Sequence, residues 1–561
     1  MNSNRKDTPV TRRQFIKTGV VAGVGVMMGC SLRNRFDIVI RNGRIVDGSG
    51  AAPLLADLGI RNDRIIAIGD LSAATADRII DAETLAVAPG FIDMHTHTDI
   101  ELLVNPRAES KIHQGVTTEV AGNCGSSPFP LTEQDRLEAL TQRQARYGIN
   151  DNWTDISGFY RALKKRGTSV NYLSLTGHGD LRAAVVGKND VIPSASQMEL
   201  MKVLLAESME AGSFGMSTGL EYAPGSYAKT DELIELCKVV ARNNGIYSTH
   251  MRNEDDSVEE AFAEALQICR AAGVSTEISH FKACNKNNWP KIDHLLEMLQ
   301  TAADTGYPVL ADRYPYNAWS TGLTSFLPLW ARQGSTDEIL ARLQNPADAT
   351  NIREYTLTRG AKIGGWDRIV IADCRSDENR IWEGLSIEEC SRQSNRPAFD
   401  FIRDLLVEER GRVGVIGFAM DENNLKKVLA SPLVCIGSDG NAKSPVGLLS
   451  EGKPHPRSYG TFARVLGRYC REEKIFDLST AIHKMTGLPA QKLGLRQRGI
   501  LAEGNFADIT IFNPATVADK ATFSDPHQFA QGIQYVLVNG IVTIENGKHT
   551  GAVAGEILRH V

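Results

Sequence analysis

Two styles of apolar patterning run along the chain. In the first, short runs of β-forming residues flank a turn pair. Residues 36–46 place two such runs around Asn42-Gly43, a hairpin pattern, and 57–69 repeat the style. The same style returns near the other end, at 507–512 and 535–547. Short strands are therefore expected at both ends, packed together as one small β domain made of 35–89 and 490–561. Between them, over 90–489, short apolar strands alternate with amphipathic helical stretches, the pattern of a parallel α/β fold. Eight strand candidates stand out, at 90–97, 116–121, 170–177, 213–218, 246–250, 275–280, 308–314 and 433–439. Eight is the number of a (β/α)₈ TIM barrel. Residues 369–373 and 413–418 are also strand-like, and the gap from Tyr314 to Leu433 is too long for one βα unit. An inserted subdomain is expected there, roughly at 325–375, before the last barrel strand.

Composition narrows the function classes. The chain has 561 residues and a formal net charge of −5, with 62 basic and 67 acidic residues well mixed. That balance gives no electrostatic case for nucleic acid. No apolar run after residue 30 is long enough to cross a bilayer. The first 34 residues read differently. Arg12-Arg13, with Phe15 and Lys17 in the places an export signal has them, precedes a mild apolar run at 19–28. This reads as a twin-arginine signal that sends a folded protein to the bacterial periplasm or cell envelope. Cys30 follows Met-Met-Gly, loosely like a lipoprotein cleavage site, although the third residue before it is Met rather than Leu or Val. A lipid on Cys30 is the one membrane contact the sequence leaves open. The nine cysteines are irregularly spaced, form no C-x-x-C pair and are too sparse for a disulfide scaffold.

Polar residues gather where the strand candidates end. They are His95 and His97, Cys124 just past the second strand, then His250, His280, Tyr314 and Asp439. Imidazole, thiolate and carboxylate are the ligand types zinc uses. His95 and His97 alternate along one strand and so share a face. Any one histidine at a strand end is more often a satisfied polar residue than a ligand. In a closed barrel, however, all seven converge on one mouth, where catalytic groups sit.

Motifs then tie the chain to a known family. Val87-Ala-Pro-Gly-Phe-Ile-Asp-Met-His-Thr-His-Thr-Asp99 resembles the amidohydrolase superfamily. Gly122-Asn-Cys-Gly-Ser-Ser-Pro128 narrows the resemblance to the N-acyl-D-amino-acid deacylase (D-aminoacylase) family. Further matches are Gly215-Met-Ser-Thr-Gly-Leu220, Tyr247-Ser-Thr-His-Met-Arg-Asn-Glu254, Ser279-His-Phe-Lys282, Tyr314-Pro-Tyr-Asn-Ala-Trp-Ser-Thr321, Gly437-Ser-Asp-Gly440 and His455-Pro-Arg-Ser-Tyr-Gly-Thr-Phe462. The resemblance spans roughly 35–555. It implies a metal-dependent hydrolase barrel that cleaves the amide of a small N-acyl-D-amino acid, releasing a carboxylate and a free D-amino acid. Many amidohydrolases bridge two metals with a carboxylated lysine on the fourth strand, but no lysine lies between Lys202 and Lys229. The family uses a cysteine instead, here Cys124. The resemblance implies a tight Zn²⁺ on Cys124, His250 and His280, and a second, weaker site built from His95, His97 and the shared Cys124. Asp439 would be the general base for water acidified by the metal, and Lys282, Tyr314 and Ser320 would hold the substrate α-carboxylate. Arg252 is a weaker additional cation, Arg313 is expected to face away from the barrel interior, and His455 and Arg457 resemble family positions near the mouth. The rival readings are another amidohydrolase reaction, on a cyclic amide or a dipeptide, and a non-catalytic exported zinc-binding protein. The lysine-free fourth strand argues against the first, and Asp439 beside a full ligand set against the second.

Overall fold

A computed structural model describes residues 35–560 of the chain. The expected export signal and Cys30 lie outside the described residues. Both ends of the described chain enter one nine-stranded sheet. The seam is antiparallel, Ala86–Pro89 against Ile509–Phe512, with Ile509 opposite Pro89 and Phe512 opposite Ala86. Val39, Leu58, Ile60, Ile65, Ile509 and Ile511 are buried in this domain. The expected hairpin at Asn42-Gly43 is corrected. Arg35–Ile45 is one strand, and its register against Leu54–Arg61 shifts between Ile40 and Gly43. The Asn-Gly pair is a bulge, with Asn42 left-handed at φ 58°. A Cβ on Gly43 would come within 2.6 Å of Val87, so the close approach, not a chain reversal, accounts for the glycine. Asn539-Gly540 does turn a hairpin, between Ile533–Val538 and Ile541–Glu545.

The barrel strands are Phe91–Asp93, Val116–Ala121, Asn171–Ser174, Gly215–Gly219, Ile246–His250, Ser275–Ile278, Val309–Arg313 and Val434–Ile436. Neighbours pair in parallel. The third and fourth strands join through Phe214 N–H to Ser174 O, 2.9 Å, and through the short extension Thr176–Gly177. The last strand closes on the first: Asp439 N–H donates to His95 O at 2.8 Å and His97 N–H to Gly440 O at 3.0 Å. The result is an α/β fold of the TIM-barrel type with a small β domain built from both ends. Outer helices bury one face each, as Thr230–Arg242 does with Leu233, Leu236, Cys237 and Val240. No described helix is long and apolar enough to cross a membrane.

The insertion is larger than 325–375. Trp319–Gly322, Gly414–Gly417 and Ile369–Asp373 form a separate antiparallel sheet, with Gly414–Gly417 in the middle. The two extra strand-like runs belong to this sheet and not to the barrel. Phe326, Ile352, Ile369, Ile371, Phe401 and Val415 give it a core of its own. Its edge strand, Trp319–Gly322, borders the barrel mouth and carries Ser320.

Candidate metal centre

Most of the site residues sit just past the strands, where the backbone turns, and His250 is the last residue of its strand. Of the non-glycine residues with positive φ, three belong to the site: Cys124 at 52°, His280 at 38° and Asp439 at 51°. L-residues avoid this region, at about 1–2 kcal/mol each, and such costs concentrate at functional sites. The turn carrying Cys124 is fixed by its glycines. A Cβ on Gly122, at φ 73°, would meet Leu175 O at 2.1 Å. The second strand must stop there, and Cys124 is delivered to the mouth.

Two donor sets share Cys124. One is Cys124, His250 and His280; the other is His95, His97, Cys124 and Asp439, and within each set the ligand atoms lie within 4.8 Å of one another. Cys124 Sγ is 3.2 Å from His95 Nε2, 3.5 Å from His280 Nε2 and 3.9 Å from His250 Nδ1. His250 Nδ1 and His280 Nε2 are 3.0 Å apart. Asp439 Oδ1 is 3.1 Å from His97 Nε2 and 3.6 Å from His95 Nε2.

A second layer of carboxylates faces the far nitrogens of the three buried histidines. Asp312 Oδ2 is 3.0 Å from His95 Nδ1, Glu254 Oε1 is 2.9 Å from His280 Nδ1, and Glu221 Oε2 is 3.5 Å from His250 Nε2. Carboxylates behind ligating imidazoles fix ring orientation and raise donor strength. Asp312 in turn bonds to Glu277, and burial pushes both carboxyls up, Asp312 to about 6. Sequence reasoning gave none of these carboxylates a role. The signals for two were present: Glu254 lies four residues after His250, and Asp312 alternates into the barrel beside Tyr314.

The charges fit a cation. Burial, then Asp439, Glu254 and Asp312, push the Cys124 thiol well up, so its thiolate needs a positive ion beside it. Burial and the neighbouring Lys282 hold His280 neutral, the form that ligates a metal. Burial opposes ionisation of Asp439, but Arg457 and the bond with His97 outweigh it and hold the carboxyl well below its usual range.

A cleft of about 840 Å³ opens over these residues. Lys282, Tyr314 and Ser320 all line it. The Lys282 ammonium rests on Glu254, 2.6 Å away, and 2.9 Å from His280 Nδ1. The buried Tyr314 hydroxyl has no hydrogen-bond partner. Arg457 lies over the Tyr314 ring at 4.8 Å, pairs with Asp439 at 2.7 Å and reaches Ser320 O at 3.5 Å. Arg457 thus links the base candidate to the carboxylate-binding candidates. Arg252 is not in the cleft; it pairs with Glu264 at 2.8 Å and donates to Ser226 O and Ala228 O. Arg313 is buried outside the mouth, donating to Tyr316 O.

Residues 78–311 and 394–544 match the model of the amidohydrolase family. The chain is 37% identical over 523 residues to D-aminoacylase of Alcaligenes xylosoxydans xylosoxydans, covering 93% of this chain and 97% of that one. It is 36% identical over 509 residues to N-acyl-D-glutamate deacylase of the same organism, covering 91% and 94%. Among solved structures it is similar to N-acyl-D-glutamate deacylase from Bordetella bronchiseptica, complexed with zinc and a phosphonate inhibitor. That match has a TM-score of 0.78 and 34% identity, and covers 94% of this chain and all of the other. Hydantoinases share the fold alone, as with D-hydantoinase from Thermus at a TM-score of 0.53 and 14% identity, covering 93% and 99%. By sequence and by structure this chain belongs to the amidohydrolase family and, within it, to the N-acyl-D-amino-acid deacylases, metal-dependent hydrolases.

Proposed function

We propose that the chain hydrolyses the amide bond of N-acyl-D-amino acids with zinc as its metal, releasing a carboxylate and a free D-amino acid. The observation that carries this reading is the pairing of two donor sets on one cysteine with a cleft whose wall offers Lys282, Tyr314 and Arg457. Cys124, His250 and His280 would hold the tight zinc; His95 and His97, with Cys124, would form the weaker site. When bound, zinc supplies Lewis acidity, lowering the pKa of a water and polarising the scissile carbonyl.

The chain's own residues do the rest. Asp439 is ionised and lies between His95, His97 and Arg457, so Oδ1 can accept the proton of the attacking water. Water adds to the acyl carbon, the carbon–nitrogen bond breaks, and the same proton passes from Asp439 to the leaving amine nitrogen. Lys282 and the unpartnered Tyr314 hydroxyl bind the substrate α-carboxylate, with Ser320 beside them on the insertion's edge strand. Glu254 holds the Lys282 ammonium at that position. A clamp that leaves buried donors unpaired when the carboxylate is misplaced discriminates between D- and L-forms.

The test is a panel of N-acetyl-D-methionine, N-acetyl-D-glutamate and their L-forms on the zinc-loaded protein. Amine release from at least one D-form, at about 10² times or more the rate of its L-form, is expected. Absence of amine release from every D-form would refute the reading.

A further inference from the structure

We propose that Lys111, which does not line the cleft, is a positioning residue that holds the base Asp439 in register with His95 and His97; this rests on the deacylase reading above. Lys111 lies on the short helix Glu109–Ile112, and its side chain is fully buried. Its ammonium has three N–H groups to place. Three acceptors receive them: Asp93 Oδ2 at 2.9 Å, Ser438 Oγ at 2.7 Å and Gly440 O at 3.1 Å. Ser438 and Gly440 are the residues on either side of Asp439. One ammonium therefore grips the chain before and after the base and ties that grip to the first barrel strand through Asp93.

The seam needs such a tie. The first and last strands stop at Asp93 and Ile436, and beyond them Asp439 has left the extended conformation, at φ 51°. Side chains complete what the ladder no longer supplies. Asp93 Oδ1 accepts from Ser438 N–H at 2.8 Å and from His95 N–H at 3.4 Å. The Ser438 hydroxyl donates to His95 O at 3.3 Å and accepts from Gly440 N–H at 3.1 Å as well as from Lys111, so its proton and both lone pairs are used. With both neighbours anchored, the Asp439 side chain keeps one direction, Oδ1 3.1 Å from His97 Nε2 and 3.6 Å from His95 Nε2.

A buried lysine requires pairing, and Asp93 with Glu119, whose Oε1 is 3.5 Å from the ammonium, supplies it. That pairing alone would account for a structural ion pair. The donations to Ser438 and Gly440 reach beyond it to the segment that carries the base.

The experiment measures kcat, KM and zinc affinity for Lys111→Met and Ser438→Ala, each in the wild-type and the Asp439→Asn background, with N-acetyl-D-methionine and N-acetyl-D-glutamate as substrates. Lys111→Met removes the charge and leaves Asp93 and Glu119 facing each other, whereas Ser438→Ala removes one strut and leaves every charge paired. In the wild-type background kcat should fall about 10–10²-fold in Lys111→Met and several-fold in Ser438→Ala, with KM within about twofold. The weaker zinc, beside His95, His97 and Asp439, should bind about tenfold less tightly while the tight zinc on Cys124, His250 and His280 is retained. In the Asp439→Asn background the same substitutions should change kcat by less than about twofold, because a residue that acts through the base has nothing left to position. Equal losses of kcat in the two backgrounds overturn the inference, and so does wild-type kcat in both single variants. A Lys111→Met protein that lacks its tight zinc has misfolded, and Ser438→Ala then decides by the same criteria. Should the wild-type protein release amine from neither substrate, the deacylase reading itself fails and the inference with it; an active wild type with unaffected variants refutes the inference alone.

Discussion

Asp439 meets two demands at once: a carboxylate aimed at the metal site and a left-handed backbone at φ 51°. Asparagine keeps the shape and tolerates the backbone, but it cannot carry a proton away from water. Asp439→Asn should therefore retain zinc while kcat falls about 10²–10⁴-fold. Arg457 loses its counter-charge in the same variant, so the melting temperature should drop as well. Steady-state kinetics with metal analysis on one preparation decides the matter: turnover within about tenfold of wild type would remove Asp439 from the role of base. At this scale the donors were legible because each ends an apolar run, where a lone polar residue is conspicuous. The carboxylates behind them were not. Asp312 stands 217 residues from His95 along the chain, and only barrel closure brings them together.

Strand count was readable and strand ends were not. The first, sixth and last barrel strands stop at Asp93, Ile278 and Ile436, each short of the residue that does the work. Apolar patterning cannot report this, because the residues beyond each end remain buried while the backbone leaves the ladder. The insertion was misjudged for a related reason. Ile369–Asp373 and Gly414–Gly417 have the same β-forming composition as barrel strands, and only their antiparallel pairing with Trp319–Gly322 separates them. That small sheet positions Ser320 through its middle strand. A Cβ on Gly417 would lie 2.2 Å from the Trp319 ring, so the indole packs directly on the glycine. Gly417→Val should overpack the sheet by about 1–3 kcal/mol and shift the edge strand that carries Ser320. KM should rise several-fold while bound zinc stays at the wild-type level. An unchanged KM would mean that the edge strand does not shape the substrate site.

The whole molecule is held together where the barrel meets the terminal sheet and its flanking segments, and one contact there couples stability to pH. His113, 6% exposed, caps the short helix Glu109–Ile112 and hydrogen-bonds Glu109 O through Nδ1 at 2.8 Å. Its ring stacks on Phe529 from the far end of the chain, with centroids 3.8 Å apart and planes 4° from parallel. Burial is the main force on this imidazole, and it lowers the pKa from 6.5 to about 4; the bond to Glu109 opposes the shift and His549 adds to it. In the unfolded chain the group titrates near its ordinary value. Between pH 6.5 and 4 the unfolded state therefore binds a proton that the folded state refuses. The stability His113 contributes is fully present above pH 6.5 and is lost as the pH falls toward 4, by about 3 kcal/mol in all. His113→Gln can still donate to Glu109 O but has no proton to take up. Denaturant melts across this window should show wild-type stability falling more steeply with acid than that of the variant, by a slope of about one proton. Parallel curves would mean that the stacked ring does not titrate on unfolding. A steeper wild-type curve would locate an acid-sensitive joint between barrel and C-terminal segment, where the stacked His113 and Phe529 rings meet.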